Sequence, residues 1–176
     1  MATLYTIGHS TRTLEELVSV LKAHEIETLV DIRAFPASRR LPHFNRESLE
    51  SELQKQGIRY VWMKSLGGYR KSTRDDSPYT AMRNISFRAY ADYTLTTEFE
   101  QAMSELLELA EHSRTAYMCA ERVYFRCHRM IVSDWLVAHD HEVQHIDAEG
   151  PTRLHKLTAD ARIIDGEMIY RGDQLF

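Results

Sequence analysis

No apolar run in the chain approaches the ~20 residues that a membrane-spanning helix needs, so a membrane protein is not expected. Cysteine is scarce as well. Two in 176 residues rule out a disulfide-stapled scaffold. The start, MATLYTIGHS, does not resemble a signal peptide, so the expectation is a pair of thiols in a cytoplasmic protein. The seven glycines form neither a Gly-x-Gly-x-x-Gly turn after the first strand nor a phosphate loop, and a bound dinucleotide or nucleoside triphosphate has no direct support. Excess positive charge is missing too. A net charge of −4 argues against coating nucleic acid by bulk electrostatics, although a local basic patch is compatible with it. Repeats, low-complexity segments and linkers are absent. What is left is one domain, residues 1–176, with 43% apolar and 27% charged residues, long enough to bury a full core.

What is present is an alternation of apolar runs and amphipathic stretches. Strands are expected over 4–7, 27–33, 59–63, 115–120 and 142–147. Thr13 with Glu16 forms a capping box before Leu14, Leu17, Val18 and Leu21, one apolar helix face. Asn45 is placed to cap a second helix, with Phe44 and Leu49 as its hydrophobic staple. Thr97 and Glu100 form another capping box, ahead of a face made by Phe99, Met103, Leu106, Leu107 and Ala110. Shorter helices are expected over 87–93 and 127–139, the latter burying Ile131, Val132, Trp135 and Leu136. Asp165-Gly166 marks a C-terminal β-hairpin. The natural assembly is an α/β fold with a mostly parallel sheet of about five strands and helices on both faces.

In such sheets ligands bind beyond the carboxyl ends of the strands. Gly8-His9-Ser10-Thr11-Arg12 follows the first strand; Arg33 and Phe35-Pro36-Ala37-Ser38-Arg39-Arg40 follow the second. Lys64 and Leu66-Gly67-Gly68-Tyr69-Arg70 follow the third, and residues 119–129 follow the fourth. All four loops carry polar or cationic groups, which points to an anion-binding cleft. Arg33, Arg39 and Arg129, with Ser10, are the expected contacts to a phosphate or carboxylate. Both cysteines lie in the last loop. Cys119 ends a strand, where it is either a packing residue or a nucleophile. Cys127 opens a helix beside Arg126 and Arg129, which gives it the better electrostatics for a thiolate. From Cys119 to Arg126 the spacing is one residue longer than a phosphatase Cys-x5-Arg loop. Glu121 is a general acid or base, or else a partner for Arg129 or Arg33; His128 and His9 are the other proton carriers. Asp31 and Asp134 are expected to orient neighbouring groups. Cys119, Cys127 and His128 lack zinc-site spacing, and His139, His141, His145 and His155 read as scattered surface histidines, so neither a metal nor another cofactor is expected.

The segments GHS, DIRxxPxSRRxxxFN, LGG, FRxYADY and CAExxxxxCHRxxxxDxL resemble the domain-of-unknown-function 488 family over residues 4 to about 147. The resemblance implies a Rossmann-like three-layer α/β sandwich with a site built from these loops, and no particular activity. Its matching positions are His9, Ser10, Asp31, Arg33, Pro36, Ser38, Arg39, Cys119, Glu121, Cys127, His128, Arg129 and Asp134. Tyr124-Phe125 stands where the family often has Pro-Trp, and Ala89 where it often has Gly. Two functions remain. One is an enzyme, a thiol-dependent transferase or hydrolase, acting on a phosphate-bearing substrate with Cys119 or Cys127 as nucleophile or redox centre. Its first substrate class is nucleotides or nucleic acid, because residues 64–88 mix Tyr69 and Tyr79 with Arg70, Lys71, Arg74 and Arg83. The other is a non-catalytic module that binds an anion or nucleic acid in the same cleft.

Overall fold

The computed structural model describes residues 1–71, 76–79 and 81–171. Five parallel strands form its centre: β1 (Thr3–Gly8), β2 (Thr28–Asp31), β3 (Arg59–Trp62), β4 (Thr115–Cys119) and β5 (Glu142–Ile146). Their order is β3-β2-β4-β1-β5, and a two-residue β6 (Arg153–Leu154) pairs antiparallel with β5. The sheet thus has six strands where five are expected from the sequence; β6 is too short to leave a hydrophobic period. Five helices cover it: α1 (Leu14–Ala23), α2 (Arg46–Lys55), α3 (Ile85–Tyr93), α4 (Thr97–His112) and α5 (Arg129–Ala138). None of the described helices is long and apolar enough to cross a membrane.

Alternation along the strands creates two cores. Tyr5, Ile7, Leu29, Ala116 and Met118 pack with Leu17, Leu21, Leu49 and Leu53 of α1 and α2. Leu4, Val30, Tyr117 and Cys119 pack on the other face with residues of α3, α4 and α5. The same two-residue period therefore turns Cys119 toward α5 at the C-terminal edge of a wholly buried central strand.

Local signals decide the element ends. The Thr13 hydroxyl accepts from the Glu16 N–H at 3.1 Å and starts α1. For α4 the cap is Thr96, whose hydroxyl accepts from Phe99 N; Thr97, the expected cap, is the first helical residue. Asn45 does precede α2, with Phe44 and Leu49 both buried, but its side-chain carbonyl accepts from Ser38 N at 2.7 Å and orders the loop after β2. Asp165 and Gly166 take positive φ (53° and 81°), the turn that joins β7 (Ala161–Ile164) to β8 (Glu167–Tyr170) in a separate antiparallel hairpin.

Two of the supposed surface histidines are core residues. His145 and His155 are buried and hydrogen-bonded to each other at 2.8 Å. His155 in turn bonds Asp134 Oδ1 at 2.9 Å, and the same carboxylate accepts from Thr158 N and from the Tyr170 hydroxyl at 2.8 Å. One fully buried carboxylate on α5 thus holds the segment that leads into the hairpin. Asp134→Ala should lower the unfolding free energy by about 3 kcal/mol, because it leaves buried donors unpaired. Urea unfolding measures this; a loss below about 0.5 kcal/mol, as for an ordinary surface change, would contradict the role.

Candidate functional site

At the C-terminal end of β4 the chain turns sharply. Gly8 of β1 lies beside Cys119 in register, and a Cβ on Gly8 would stand 1.8 Å from the Glu121 carbonyl oxygen. Glycine is required there because the two backbones touch. The loop then folds back through a short 3-10 turn, Tyr124–Arg126, and returns Cys127 to Cys119 with 2.7 Å between the sulfurs. His128 follows as the cap of α5.

Arg129 governs the electrostatics. Its side chain leans toward the helix N-terminus, as helical side chains do, and reaches back under the strand end. Nε donates to Cys119 Sγ at 3.0 Å, Nη1 to the Thr6 hydroxyl at 3.1 Å, and Nη2 to the Glu121 and Arg122 carbonyls at 2.6 and 3.1 Å. The residue is 1% exposed, and none of these partners is a carboxylate. A buried cation calls for an anion, and the one partner able to become an anion is Cys119. Burial pushes the Cys119 thiol up, but the Cys127 hydrogen bond and the Arg129 charge more than reverse this and hold it at about 7. Burial and the neighbouring Cys119 push Cys127 well above its ordinary value, so it keeps its proton and donates it to Cys119. This reverses the order expected from sequence, in which Cys127 had the better electrostatics.

His128 completes the row. Its Nε2 lies 2.9 Å from the Ile32 carbonyl, which only accepts, so Nε2 carries the hydrogen and Nδ1 the lone pair. Nδ1 stands 3.4 Å from Cys127 Sγ. Burial lowers the imidazole to about 4, so it is neutral near pH 7. A Cβ on Gly68 would come within 2.5 Å of Nδ1, so the second glycine of Leu66-Gly67-Gly68 lets this loop close over the ring. Cys127 thus stands between the Cys119 thiolate and the imidazole lone pair, within reach of both.

The remaining candidates fall elsewhere. Arg33 gives Nε and Nη2 to the two Asp31 oxygens at 2.9 and 2.7 Å and also bonds the Phe44 carbonyl. Its Nη1 faces His9 Nε2 at 3.4 Å. His9 is buried against Phe44 and spends Nδ1–H on the Ser10 carbonyl. Ser10, at φ 53°, bonds Ala120 through its N–H and so ties the β1 and β4 loops together. Arg39 is exposed. The expected anion grip of Arg33, Arg39, Arg129 and Ser10 is therefore not gathered around one void. Arg129 stands behind the thiol, and Glu121 holds it through its main-chain carbonyl, not its carboxylate.

The void in front of the thiols measures about 340 Å³. Arg33, Cys119, Glu121, Arg126, Cys127 and His128 line it together with Phe35, Tyr69, Phe87 and Tyr90. Phe35 and Tyr69, 67% and 84% exposed, meet edge to face at 5.5 Å on its rim. The loops after β2, β3 and β4 contribute; that after β1 does not. Of the aromatic wall, sequence reasoning named Tyr69 and missed Phe35, Phe87 and Tyr90, although the last two sit in FRxYADY. It also missed Thr6, a buried threonine inside a strand with no motif around it. Tyr79, expected to stack on a nucleic acid, is a core residue packed on Tyr170, and Arg70 lies over the Tyr93 ring. Arg74 lies outside the described residues. Among the described residues no cluster of three or more His, Cys, Asp or Glu has an arrangement that could hold a metal ion.

Comparison with known families matches residues 13–136 to the domain of unknown function DUF488. The chain belongs to that family. No curated protein and no solved structure matches it. The DUF488 match takes in both cysteines, His128, Arg129 and the Asp31–Arg33 pair, and it ends inside α5.

Burial sets a pH limit on this arrangement. Desolvation lowers His9 and His128 to about 4 and His145 to about 3. Unfolding frees each ring to take up a proton near 6.5, so the folded state loses ground as pH falls below that value. Stability should be full above pH 6.5 and decline toward pH 4 by about 1.4 kcal/mol per pH unit for each such histidine. Urea unfolding across that interval checks the slope, and His9→Asn should remove one proton's share of it. A flat profile would contradict the burial of these rings as neutral groups.

Proposed function

We propose that this DUF488 protein is a thiol-dependent transferase or hydrolase in which the Cys119 thiolate attacks a substrate held in the aromatic-walled cavity. One observation carries the reading: a buried guanidinium without a carboxylate partner, whose Nε is bonded to Cys119 Sγ. Such a cation lowers the cost of the thiolate and keeps the nucleophile charged near neutral pH. Phe35, Tyr69 and Phe87 offer aromatic surface to a planar group, Arg126 offers positive charge, and Glu121 offers an acceptor. A nucleotide, or a nucleotide at the end of a nucleic acid, combines a planar base with an anionic group and is the substrate class proposed.

In the first step a bond forms from Cys119 Sγ to the electrophilic atom and the bond to the leaving group breaks. The leaving group takes the electron pair, together with the proton of Cys127. In a hydrolase, water then attacks the thiol-linked intermediate, gives one proton to Glu121 and keeps the other in the product; the Cys119 thiolate is released, and Glu121 loses its proton to solvent as Cys127 takes one up. The non-catalytic reading has less support, because Arg33 and Arg129 spend their donors inside the protein.

The 2.7 Å between the sulfurs favours a second chemistry at the same residues. Cys119 would attack a substrate disulfide and release one thiolate; Cys127, deprotonated, would attack the mixed disulfide and release the other. The substrate disulfide gains two electrons and the protein is left as a Cys119–Cys127 disulfide.

Iodoacetamide alkylation followed by peptide mass mapping tests the nucleophile. Labelling should fall on Cys119 first and rise with pH through about 7. Equal labelling of both thiols, or no pH dependence, would contradict it. Cys119→Ser should lose turnover by about 10³-fold or more in either chemistry while nucleotide affinity is kept. Cys127→Ser separates the two: it traps a mixed disulfide in the redox case and leaves turnover measurable in the transfer case. Wild-type turnover in both variants would remove thiol chemistry altogether.

A further inference from the structure

The loop between the two cysteines has a second side. Cys119, Glu121, Arg126 and Cys127 face the thiol cavity, whereas Arg122 and Tyr124 face another void of about 490 Å³, at the end of β5. Three arginines border it: Arg122, Arg129 and Arg153. Strand β6 supplies the third. Arg153 pairs directly with His145 across the antiparallel β5–β6 ladder, so the two side chains leave the same face. Asp147 is the carboxylate on the wall, and it engages Arg122 at 2.8 and 3.1 Å. Asp147 answers Arg122 and the Cys119 thiolate answers Arg129, so among the described residues Arg153 makes the local positive excess, in a chain of net charge −4.

His145 adds a second requirement. The Asp134 carboxylate accepts from His155 Nε2–H, which leaves His155 Nδ1 as an acceptor for His145 Nε2–H. His145 Nδ1 is then a lone pair. It is the buried side-chain nitrogen that has no hydrogen-bond partner among the described residues, in a ring 8% exposed and stacked on Tyr124 at 3.8 Å. An unpaired buried acceptor is costly, and a donor brought to it lifts that cost. Positive charge and an unmet acceptor together call for an anion that retains an O–H hydrogen. Sulfate and carboxylate anions have none at neutral pH; phosphate near its second ionisation does.

We propose that this second cavity is a phosphate-binding site, formed by Arg122, Arg153 and His145, whose occupancy is felt at Cys119 through Arg129. Binding does not depend on the thiol reading; the coupling does, because Arg129 borders this cavity and donates to Cys119 Sγ on its other side. A bound anion competes with the thiolate for the same cation, which makes the thiol less reactive.

Calorimetric titration of the full chain with inorganic phosphate, sulfate and a nucleoside 5′-monophosphate tests the site. Phosphate should bind saturably. Arg153→Ala, on an exposed two-residue strand, should weaken it about tenfold, the loss of one charge-assisted contact. Asp147→Asn should tighten it, because the opposing carboxylate is gone. Sulfate should bind several-fold more weakly than phosphate. A monophosphate that binds tighter than the free ion identifies an organic phosphate as the ligand, and equal affinity identifies the ion itself. Absence of phosphate binding, or binding indifferent to Arg153→Ala, would overturn the site; sulfate equal to phosphate would overturn the His145 assignment. Phosphate should also slow iodoacetamide labelling of Cys119, with half the effect reached in Arg153→Ala at about tenfold more phosphate than in the wild type. Binding without that slowing would overturn the coupling. Cys119→Ser, which removes the competing thiolate, should still bind phosphate, and more tightly than the wild type if the coupling holds, so failure of the thiol chemistry and failure of this site are read separately.

Discussion

The structure depends on one buried guanidinium. Arg129 is almost wholly buried, and its charge is met by a hydroxyl from β1, a sulfur from β4 and two carbonyls from the loop that follows β4. Burying a cation without an adequate partner costs several kcal/mol. That cost is offset only if strand, loop and helix converge and Cys119 carries negative charge. Position and reactivity of the thiol are thus two consequences of one constraint.

Helix α5 transmits the constraint in both directions. Its first turn holds Arg129 and, through the His128 cap, the lone pair beside Cys127. One turn later Ser133 bonds both the Arg129 carbonyl at 2.6 Å and the Tyr117 hydroxyl at 2.5 Å, pinning the helix to β4. Asp134 then gathers His155, Thr158 and Tyr170. The thiol site and the C-terminal tail lean on the same ten residues, so a disturbance of either is felt by the other. Asp31 plays a comparable part on β2, where it locks Arg33 and takes the Tyr60 hydroxyl at 2.5 Å.

Much of the fold was legible because local patterns carry it. The apolar run of Thr115–Cys119, the Thr13–Glu16 box and the Asp165-Gly166 turn each specify their element without outside help. The grouping of Cys119, Cys127 and His128 at a strand–helix junction was legible for the same reason. Which thiol is acidic was not, since neighbours in sequence place Arg129 beside Cys127, while the helical direction of the side chain delivers its Nε to Cys119. Arg33 looked like a ligand-binding cation; its neighbour Asp31, two residues away on the same side of the strand, takes its donors instead. The His145–His155 pair rests on a two-residue strand with no periodic signal, and so its burial was invisible. Composition of the long loop implied stacking tyrosines, yet whether a tyrosine faces solvent, as Tyr69 does, or the core, as Tyr79 does, is decided by packing far along the chain.

Direct titration of the Cys119 thiolate, followed by its ultraviolet absorbance, bears most closely on the central claim. One thiol should ionise at about 7 in the wild type. It should shift upward by about one pH unit or more when Arg129→Met removes the cation. Thr6→Val, which removes an acceptor and no charge, should fold and leave the thiol ionising well below an ordinary cysteine. A wild-type protein whose thiols both ionise like ordinary cysteines, or an Arg129→Met protein whose thiol still ionises at about 7, would contradict the claim that the buried guanidinium makes Cys119 a thiolate.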